Sequence, residues 1–190
     1  MTPIVSSLPP VPPQTQSFED FLQQVFVGIS GLDPTLVRPR WQPEPPNVPD
    51  KGVDWLAIGI TDWDPDTYAF VRHLGAMSDG ADWLQRHETV NILASFYGPN
   101  ASRNCGVLRD GFQIAQNREV LQANGIGLQE TGTARLVPTL LKETWRYRVD
   151  MPIVLRRMIL REYEVLNILT SGITVYNDTT PQLVSTVNVP

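Results

Sequence analysis

Apolar residues recur at helical spacing close to the start of the chain. They form one stripe made up of Phe18, Phe21, Leu22, Val25, Phe26 and Ile29. Ser17 stands just before the stripe, where a serine caps a helix, and Glu19 and Asp20 lie in the first turn, where acidic groups favour the helix dipole. We therefore predict a first helix that begins near Ser17 and ends at Gly31.

A second helical pattern lies in the segment FYGPNASRNCGVLRDGFQIAQNREVLQANGIG, residues 96–127. We predict one helix over residues 100–123, with Gly125 as its stop. Its expected core stripe is Leu108, Phe112, Ala115 and either Val120 or Leu121. The other faces carry amides and paired charges, so the segment offers either a catalytic site or a surface that meets another protein.

Short strands are predicted between and after the helices. Residues 54–60 (DWLAIGI) form the first, and residues 67–75 are its expected hairpin partner across the turn TDWDPD. Residues 86–96 form a third strand, with one face made up of Glu88, Val90, Ile92, Ala94 and Phe96. A shorter strand is expected near residues 127–131, and residues 165–176 could form a last strand or a partly ordered extension.

Strict alternation predicts a long strand from Glu143 onward with one buried face. The residues expected on that face are Trp145, Tyr147, Val149, Met151, Ile153 and Leu155. Pro152 limits how the strand pairs, because proline has no amide hydrogen to donate. We therefore expect the strand to lie at an edge, to bend at a bulge, or to have two separately paired halves.

Proline-rich segments outside the periodic ones define the domain organisation. Residues 1–16 (MTPIVSSLPPVPPQTQ) and 34–49 (PTLVRPRWQPEPPNVP) should be extended, because proline fixes φ and favours polyproline II. We predict an α+β fold, mainly an antiparallel β-sheet flanked by two α-helices, in a single domain over residues 17–176. Residues 1–16 form an extended N-terminal arm, and residues 177–190 an extended C-terminal tail for which the sequence offers no partner strand. A disordered linker is the alternative for both ends.

Composition limits the classes of function. The chain has 190 residues, of which 42% are hydrophobic and 18% charged, and this suits one globular domain with a real core. A formal net charge of −5 disfavours binding to a phosphate backbone as the main role. No apolar run approaches the roughly 20 residues of a membrane-spanning helix, and no signal-peptide pattern is present. We therefore expect a protein made in the cytoplasm that does not enter a membrane.

The candidate motifs for catalysis and metal binding are weak. His87-Glu88 begins like a zinc hydrolase motif, but Asn91 occupies the position of the second histidine. A second pattern has the alternating carboxylates of a calcium-binding loop, at Asp62, Asp64 and Asp66, but it lacks the glycine that such a loop needs. Cys105 is the single cysteine, which excludes an internal disulfide, and we expect it to be packed rather than nucleophilic. We predict no catalytic residue, metal or cofactor.

A run of arginines is a better indication of function on this acidic chain. Its members are Arg146, Arg148, Arg156, Arg157 and Arg161. One interpretation is a solvated strand face. The other is a positive patch that meets an acidic partner or forms the wall of a lumen around DNA.

Four segments stand out along the chain: RPRWQPEPPN (38–47), FYGPNA (96–101), LRDGFQIAQNREVLQANGIG (108–127) and WRYRVDMPIVLRR (145–157). They resemble the phage neck terminator family, whose members are encoded among the head and tail genes of tailed bacteriophages. The resemblance extends in order over roughly residues 17–170. It implies a virion structural protein with no enzymatic activity and no catalytic residues.

The resemblance also implies a place in the virion and a set of partners. Copies of the chain would form a ring of six at the junction of the tail tube and the head-to-tail connector, cap the finished tail and provide a docking surface for the head. The implied partners are the chain itself, the tail tube protein and a connector, adaptor or collar protein. Genomic DNA would pass through the lumen without sequence specificity. Repeated heterologous contacts close into a ring when the rotation allows it.

Residue type indicates which side chains would form the ring contacts. Arg38, Arg40 and Trp41 combine forked cations with a stacking ring, and such groups are favoured at protein interfaces. A second set, on the predicted second helix, is Arg109, Asp110, Gln116, Asn117 and Arg118. An ordinary salt bridge or helix cap within the domain is the alternative for each residue.

Other classes of protein stay open. The first is another neck or tail protein of the same virion, such as a head-completion, collar, sheath-interacting or tube protein. A terminator stops at a closed ring, whereas a tube protein stacks into long polymers and a collar protein binds portal or connector. An enzyme of unfamiliar design would place a perturbed acid or base in a pocket. A small adaptor for proline-rich ligands is the last alternative.

Overall fold

The structure is a computed structural model that describes residues 16–42, 47–74, 80–141, 143–165, 171–176 and 183–189. Its helices are α1 (Gln16–Ser30), α2 (Ala101–Gln113) and α3 (Ala115–Ala123), with a 3-10 turn at Pro34–Leu36. Its strands are β1 (Val37–Pro39), β2 (Trp55–Pro65), β3 (Phe70–Leu74), β4 (Ala81–Tyr97), β5 (Ile126–Thr131), β6 (Arg135–Leu136), β7 (Thr139–Leu141), β8 (Thr144–Arg146), β9 (Arg148–Glu164), β10 (Ser171–Tyr176) and β11 (Leu183–Val189).

Most of the strands join one mainly antiparallel sheet, which confirms the predicted α+β class. The sheet has seven strands in the order β1-β2-β4-β9-β5, and outside that path β3 pairs with β4 and β6 with β9. The short β1 is parallel to β2, whereas the pairs β2–β4 and β5–β9 are antiparallel. β7 and β8 form a separate two-stranded sheet.

The first helix and the strand β4 confirm the periodicity from which they were predicted. α1 buries Phe18, Leu22, Val25 and Phe26 and partly buries Phe21 and Ile29. It ends where Gly31, at a φ of 68°, donates its N–H to the Val27 carbonyl over 3.0 Å. The predicted inner face of β4 is wholly buried and consists of Glu88, Val90, Ile92, Ala94 and Phe96.

The second predicted helix is wrong in one respect, because it is two helices. Ile114 adopts an extended conformation with a ψ of 122° and separates α2 from α3. Phe112 and Leu121 are both fully buried, although residues nine apart lie about 180° apart around one continuous helix. The break lets both reach the core, and the Asn117 side-chain amide donates to the Gly111 carbonyl over 2.9 Å beside it. Val120 and Ala115 are exposed, so Leu121 is the core residue.

The predicted hairpin across TDWDPD is also wrong. β2 continues through this segment to Pro65, and its partner is β4, with Trp55 opposite Tyr97 and Pro65 opposite Glu88. A bulge after Ile60 shifts the register without ending the strand. β3 then pairs with β4 and not with β2. The polar residues of this segment extend β2 because they pair with residues of β4, which lies far along the chain and gives no local signal.

Pro152 confirms the expectation of two separately paired halves. β5 pairs with β9 from Ile153 to Arg157, whereas β6 pairs with Val149 and Asp150. The Pro152 carbonyl accepts the N–H of Gly132 over 2.8 Å, in the connection between β5 and β6. Since the N and O of one strand residue point to the same side, the missing N–H of Pro152 faces this connection. The bond that proline cannot make therefore falls where the partner strand changes.

Two aromatic residues expected on the buried face are exposed. The chain breaks from extended pairing at Tyr147, and β8 before it pairs with β7 instead of joining the sheet. Trp145 is 67% exposed and Tyr147 is 45% exposed, while Val149, Met151, Ile153 and Leu155 are buried as predicted. The alternation in sequence was real, but the core begins only at Val149.

The chain divides into two compact units. Among the described residues, one contains 70–74, 80–84, 161–165, 171–176 and 183–189, and in it β10 pairs antiparallel with β11 from Ser171–Val189 to Tyr176–Leu183. Leu183–Val189 thus has a partner strand that sequence analysis did not find. The described part of the other unit is 16–42, 47–69, 85–141 and 143–160, and it contains α1, α2 and α3. The predicted single domain over residues 17–176 stays a prediction, because compactness does not test independent folding. The predicted arms at 1–16 and 177–190 also stay predictions, and residues 1–15, 177–182 and 190 lie outside the described residues.

Candidate interaction surfaces

Alternation along the strands gives the sheet a second face, directed away from the core. On β4, Phe96 is buried among core residues, so its neighbours Ser95 and Tyr97 point the other way. Arg148 occupies the equivalent place on β9, because Val149 is in the core. Trp55 does so on β2, next to the buried Leu56. We call this side of the sheet the outer face.

Arginines and aromatic rings form a connected group on the outer face, which we call the arginine–aromatic cluster. Its members are Arg38, Arg40, Trp41, Trp55, Tyr97 and Arg148. The rings of Trp55 and Tyr97, which are cross-strand partners, stack at 4.1 Å between centroids with an angle of 7°. The Arg38 and Arg148 guanidinium carbons lie 5.8 Å and 5.6 Å from the centroids of Trp55 and Tyr97. Such cation–π contacts hold both arginines over the rings.

Arg148 is the centre of this cluster. It donates two hydrogen bonds of 2.7 Å to the two carboxylate oxygens of Asp150 and a longer one of 3.4 Å to the Ser95 hydroxyl. Burial disfavours its charge, but the hydrogen bonds to Asp150 and the electrostatic attraction of Tyr97 and Asp150 together outweigh this, so the pKa of Arg148 is raised. Ser95 is fully covered and also accepts a hydrogen bond from Arg40. The pairing with Asp150 fixes the guanidinium that covers Tyr97.

Gly59 lets the first predicted interface set lie across the sheet. A side chain at this position would meet the Arg40 Cβ at 2.8 Å and the Trp41 Nε1 at 3.0 Å. Trp41 donates its indole N–H to the Ile60 carbonyl over 3.0 Å, yet 61% of the residue is exposed. Arg38 donates to the carbonyls of Thr35 and Asn47. Trp41 therefore offers free aromatic surface, while the two arginines are engaged within the chain.

The second predicted interface set is divided between exposed and engaged side chains. Arg109 and Asp110 form an exposed ion pair of 3.3 Å on α2, and Gln116 is exposed on α3. Asn117 bonds to Gly111, as described above. The Nε of Arg118 is buried without a hydrogen-bond partner among the described residues. Gln116 and Asn117 also line a surface cavity of about 240 Å³ between α1 and α3.

The arginine run does not form one basic face. The structure corrects the expectation that Arg157 belongs to an exposed patch. Arg157 lies on the same face of β9 as the core residues, is 1% exposed and pairs with the buried Glu88. Arg148 pairs with Asp150, and Arg156 pairs with Asp66, whose pKa its hydrogen bond lowers. The Arg146 guanidinium donates to the Pro49 carbonyl over 2.8 Å. Arg161 is half-buried and belongs to the other compact unit.

An aromatic groove shares Trp55 and Tyr97 with the cluster and was missed by sequence reasoning. It has a volume of about 170 Å³, and its aromatic walls are Trp55, Tyr97, Trp145 and Tyr147. Asp50, Lys51, Val53, Gly98, Pro99 and Arg146 complete the lining. The Tyr147 hydroxyl is 3.0 Å from that of Ser102 at the start of α2. The walls come from places far apart in the sequence, so no local pattern indicates the groove.

The motifs considered for metal and acid–base chemistry have structural roles. Asp62 accepts a hydrogen bond of 2.6 Å from the side chain of Asn91, and Asp66 is held by Arg156. His73 pairs with Asp82 at 2.7 Å, and His87 is 3.2 Å from the Gln85 amide. Within the described ranges, no three histidine, cysteine, aspartate or glutamate side chains lie close enough to hold a metal ion.

Cys105 should behave as a packed thiol. It is buried on α2 with its sulfur 3.7 Å from that of Met151, and burial raises its pKa despite the opposing charge of Arg109. We expect its reaction with Ellman's reagent at pH 8 to be at least about hundredfold slower in the native protein than in urea, since a covered thiol reacts only after opening. Equal rates in the two conditions would show that Cys105 is accessible.

Comparison with protein families places the chain. The family model described as phage neck terminator protein matches residues 16–179. A search of the curated proteins finds nothing that matches the chain. All helices in the described ranges are too short or too polar to serve as membrane spans.

Proposed function

The chain belongs to the phage neck terminator family and is a structural component of the virion, and from that premise we propose that it closes the end of the phage tail. In this proposal six copies form a ring that caps the tail tube and presents a docking surface to the head-to-tail connector. The family match over residues 16–179 carries the proposal. The proposed role is structural and involves neither catalysis nor a cofactor.

The outer face supports a role in protein contacts. It places an exposed tryptophan, stacked aromatic rings and forked arginines on a sheet whose opposite side is occupied by helices. Tryptophan, tyrosine and arginine are the residues that dominate binding energy at interfaces. The arginines are engaged by an acidic group, by carbonyls or by a hydroxyl, so this surface suits a protein partner better than the phosphates of DNA.

Electron microscopy of the purified protein, alone and mixed with tail tubes from its phage, tests the proposal. We expect closed rings, or density that caps one end of each tube. Long polymers would instead indicate a tube protein. Monomers that ignore the tube ends but bind portal or connector complexes would indicate a head-completion or collar protein, and either result would contradict the terminator role.

Trp41→Ala tests the contribution of the exposed tryptophan to the ring. We expect the free energy of unfolding of the monomer to change by no more than about 1 kcal/mol, because 61% of the residue is exposed. Ring formation should weaken by about tenfold or more, as is usual when an interface tryptophan is removed. Light scattering against concentration measures the change. Trp63→Ala, which removes another tryptophan that is 55% exposed, is the matched control. Equal assembly of both variants would exclude Trp41 from the contact.

A further inference from the structure

The aromatic groove has the chemistry of a surface that binds polyproline II. Its walls combine flat aromatic rings with the indole N–H of tryptophan, and proline-rich segments dock between such rings while their carbonyls accept hydrogen bonds. Trp145 and Tyr147 stay exposed because β8 leaves the main sheet just before β9 begins. Trp145 and Tyr147 are the exposed walls, beside the half-buried Trp55 and Tyr97, and exposed aromatic surface in one groove is costly in water unless something covers it.

The chain itself carries a segment that fits this groove. Residues 8–13 read LPPVPP, which has four prolines and no charged side chain, and the whole of residues 1–16 has no charged side chain either. Polyproline II is preformed in such a sequence, so little conformational entropy is lost on binding. We propose that residues 8–13 of a second copy of this chain occupy the aromatic groove, which rests on the proposed ring.

The length of chain before α1 is too short to bring the proline-rich segment to the groove of its own copy, so the segment must come from a second copy. α1 begins at Gln16, and its Phe18 ring lies 4.6 Å from the guanidinium of Arg157, the partner of Glu88. From Glu88 to Tyr97, β4 spans about 30 Å at roughly 3.3 Å per residue. From Gln16 back to Pro9 is seven residues, or about 22 Å at roughly 3.1 Å per residue of polyproline II. The prolines of one copy therefore stop short of its own groove, whereas a neighbour in a ring can supply them.

A peptide titration tests the groove without depending on the ring. The probe is a fluorescein-labelled peptide of residues 1–16, and the receptor is the full-length chain with Pro9, Pro10, Pro12 and Pro13 changed to alanine, so that its own arm does not compete. We expect saturable binding by fluorescence anisotropy. Trp145→Ala in the receptor should weaken binding by about tenfold or more, which corresponds to loss of one good aromatic contact. Trp63→Ala should leave binding unchanged, and a peptide with the four prolines replaced by alanine should not bind.

Disulfide trapping in the full-length chain tests which copy supplies the segment. With Pro10→Cys and Lys51→Cys in one chain, oxidation should give covalent dimers and larger species, and Cys105 is buried enough to stay out of this reaction. Crosslinked monomers would overturn the assignment to a second copy. No peptide binding, or equal binding to the Trp145→Ala receptor, would overturn the proposal even if microscopy finds rings. Binding by a chain that never forms rings would uphold the groove and reject the ring.

Discussion

Arg157→Met should destabilise the protein by about 3–5 kcal/mol, the usual loss when one partner of a buried ion pair is removed. Arg157 and Glu88 are 1% and 3% exposed, and they join β9 to β4 beneath α1. The guanidinium also lies over the Phe18 ring. Methionine preserves most of the volume but leaves the Glu88 carboxylate buried without the guanidinium. Since whole domains are stable by only about 5–15 kcal/mol, urea denaturation followed by circular dichroism should show a midpoint shift without difficulty.

The neighbouring arginine provides the control for this experiment. Arg156 is on the opposite face of the same strand, and its side chain and that of its partner Asp66 are 38% and 41% exposed. Arg156→Met should therefore cost far less than Arg157→Met, because exposed pairs contribute little. The double variant Glu88→Leu with Arg157→Met should be more stable than Arg157→Met alone, since it also removes the buried Glu88 carboxylate. Equal effects of Arg156→Met and Arg157→Met would mean that burial does not govern the pair.

The same ion pair shows what the sequence could predict. α1 and β4 follow directly from periodicity, because each has one face whose burial is decided by local spacing. Arg157 was grouped with the exposed arginines by its neighbours in sequence, but its odd number gives it the parity of Met151, Ile153 and Leu155. That parity was a usable signal for a buried charge. Its partner Glu88 also lay on the correctly predicted inner face of β4.

The remaining differences arise from contacts between distant parts of the chain. The break at Ile114 depends on where Phe112 and Leu121 pack in the core, and helical periodicity alone does not contain that information. β2 continues through TDWDPD because Asp62 accepts a hydrogen bond from Asn91 and Asp66 forms an ion pair with Arg156. The aromatic groove likewise needs the register that sets Trp55 opposite Tyr97. Each of these features depends on tertiary contacts that override local turn or helix signals.

The turn from β4 into α2 is another place where tertiary contacts decide what the sequence must be. Gly98 has a φ of 104°, a conformation that residues with a Cβ rarely adopt. Just beyond it, the Asp54 carboxylate accepts the backbone N–H and the side-chain amide of Asn100, both over 2.8 Å. These bonds join the segment before β2 to the start of α2. Asp54 and Val53 consequently lie directly against Gly98, with no room for a side chain between them.

Gly98→Ala should therefore cost about 3 kcal/mol or more, from strained backbone and from steric overlap together. The added methyl would meet the Val53 carbonyl oxygen at 2.6 Å and the Asp54 Cα at 2.7 Å, and backbone atoms cannot swing away as a long side chain can. Gly106→Ala is the matched control, because Gly106 lies within α2 with nothing within 4 Å of the added atom. There alanine should stabilise the helix by up to about 1 kcal/mol. Thermal and urea denaturation of both variants would give changes of opposite sign. Changes of the same sign and size would show that the turn can relax and that the contact between Gly98 and Asp54 does not fix the entry into α2.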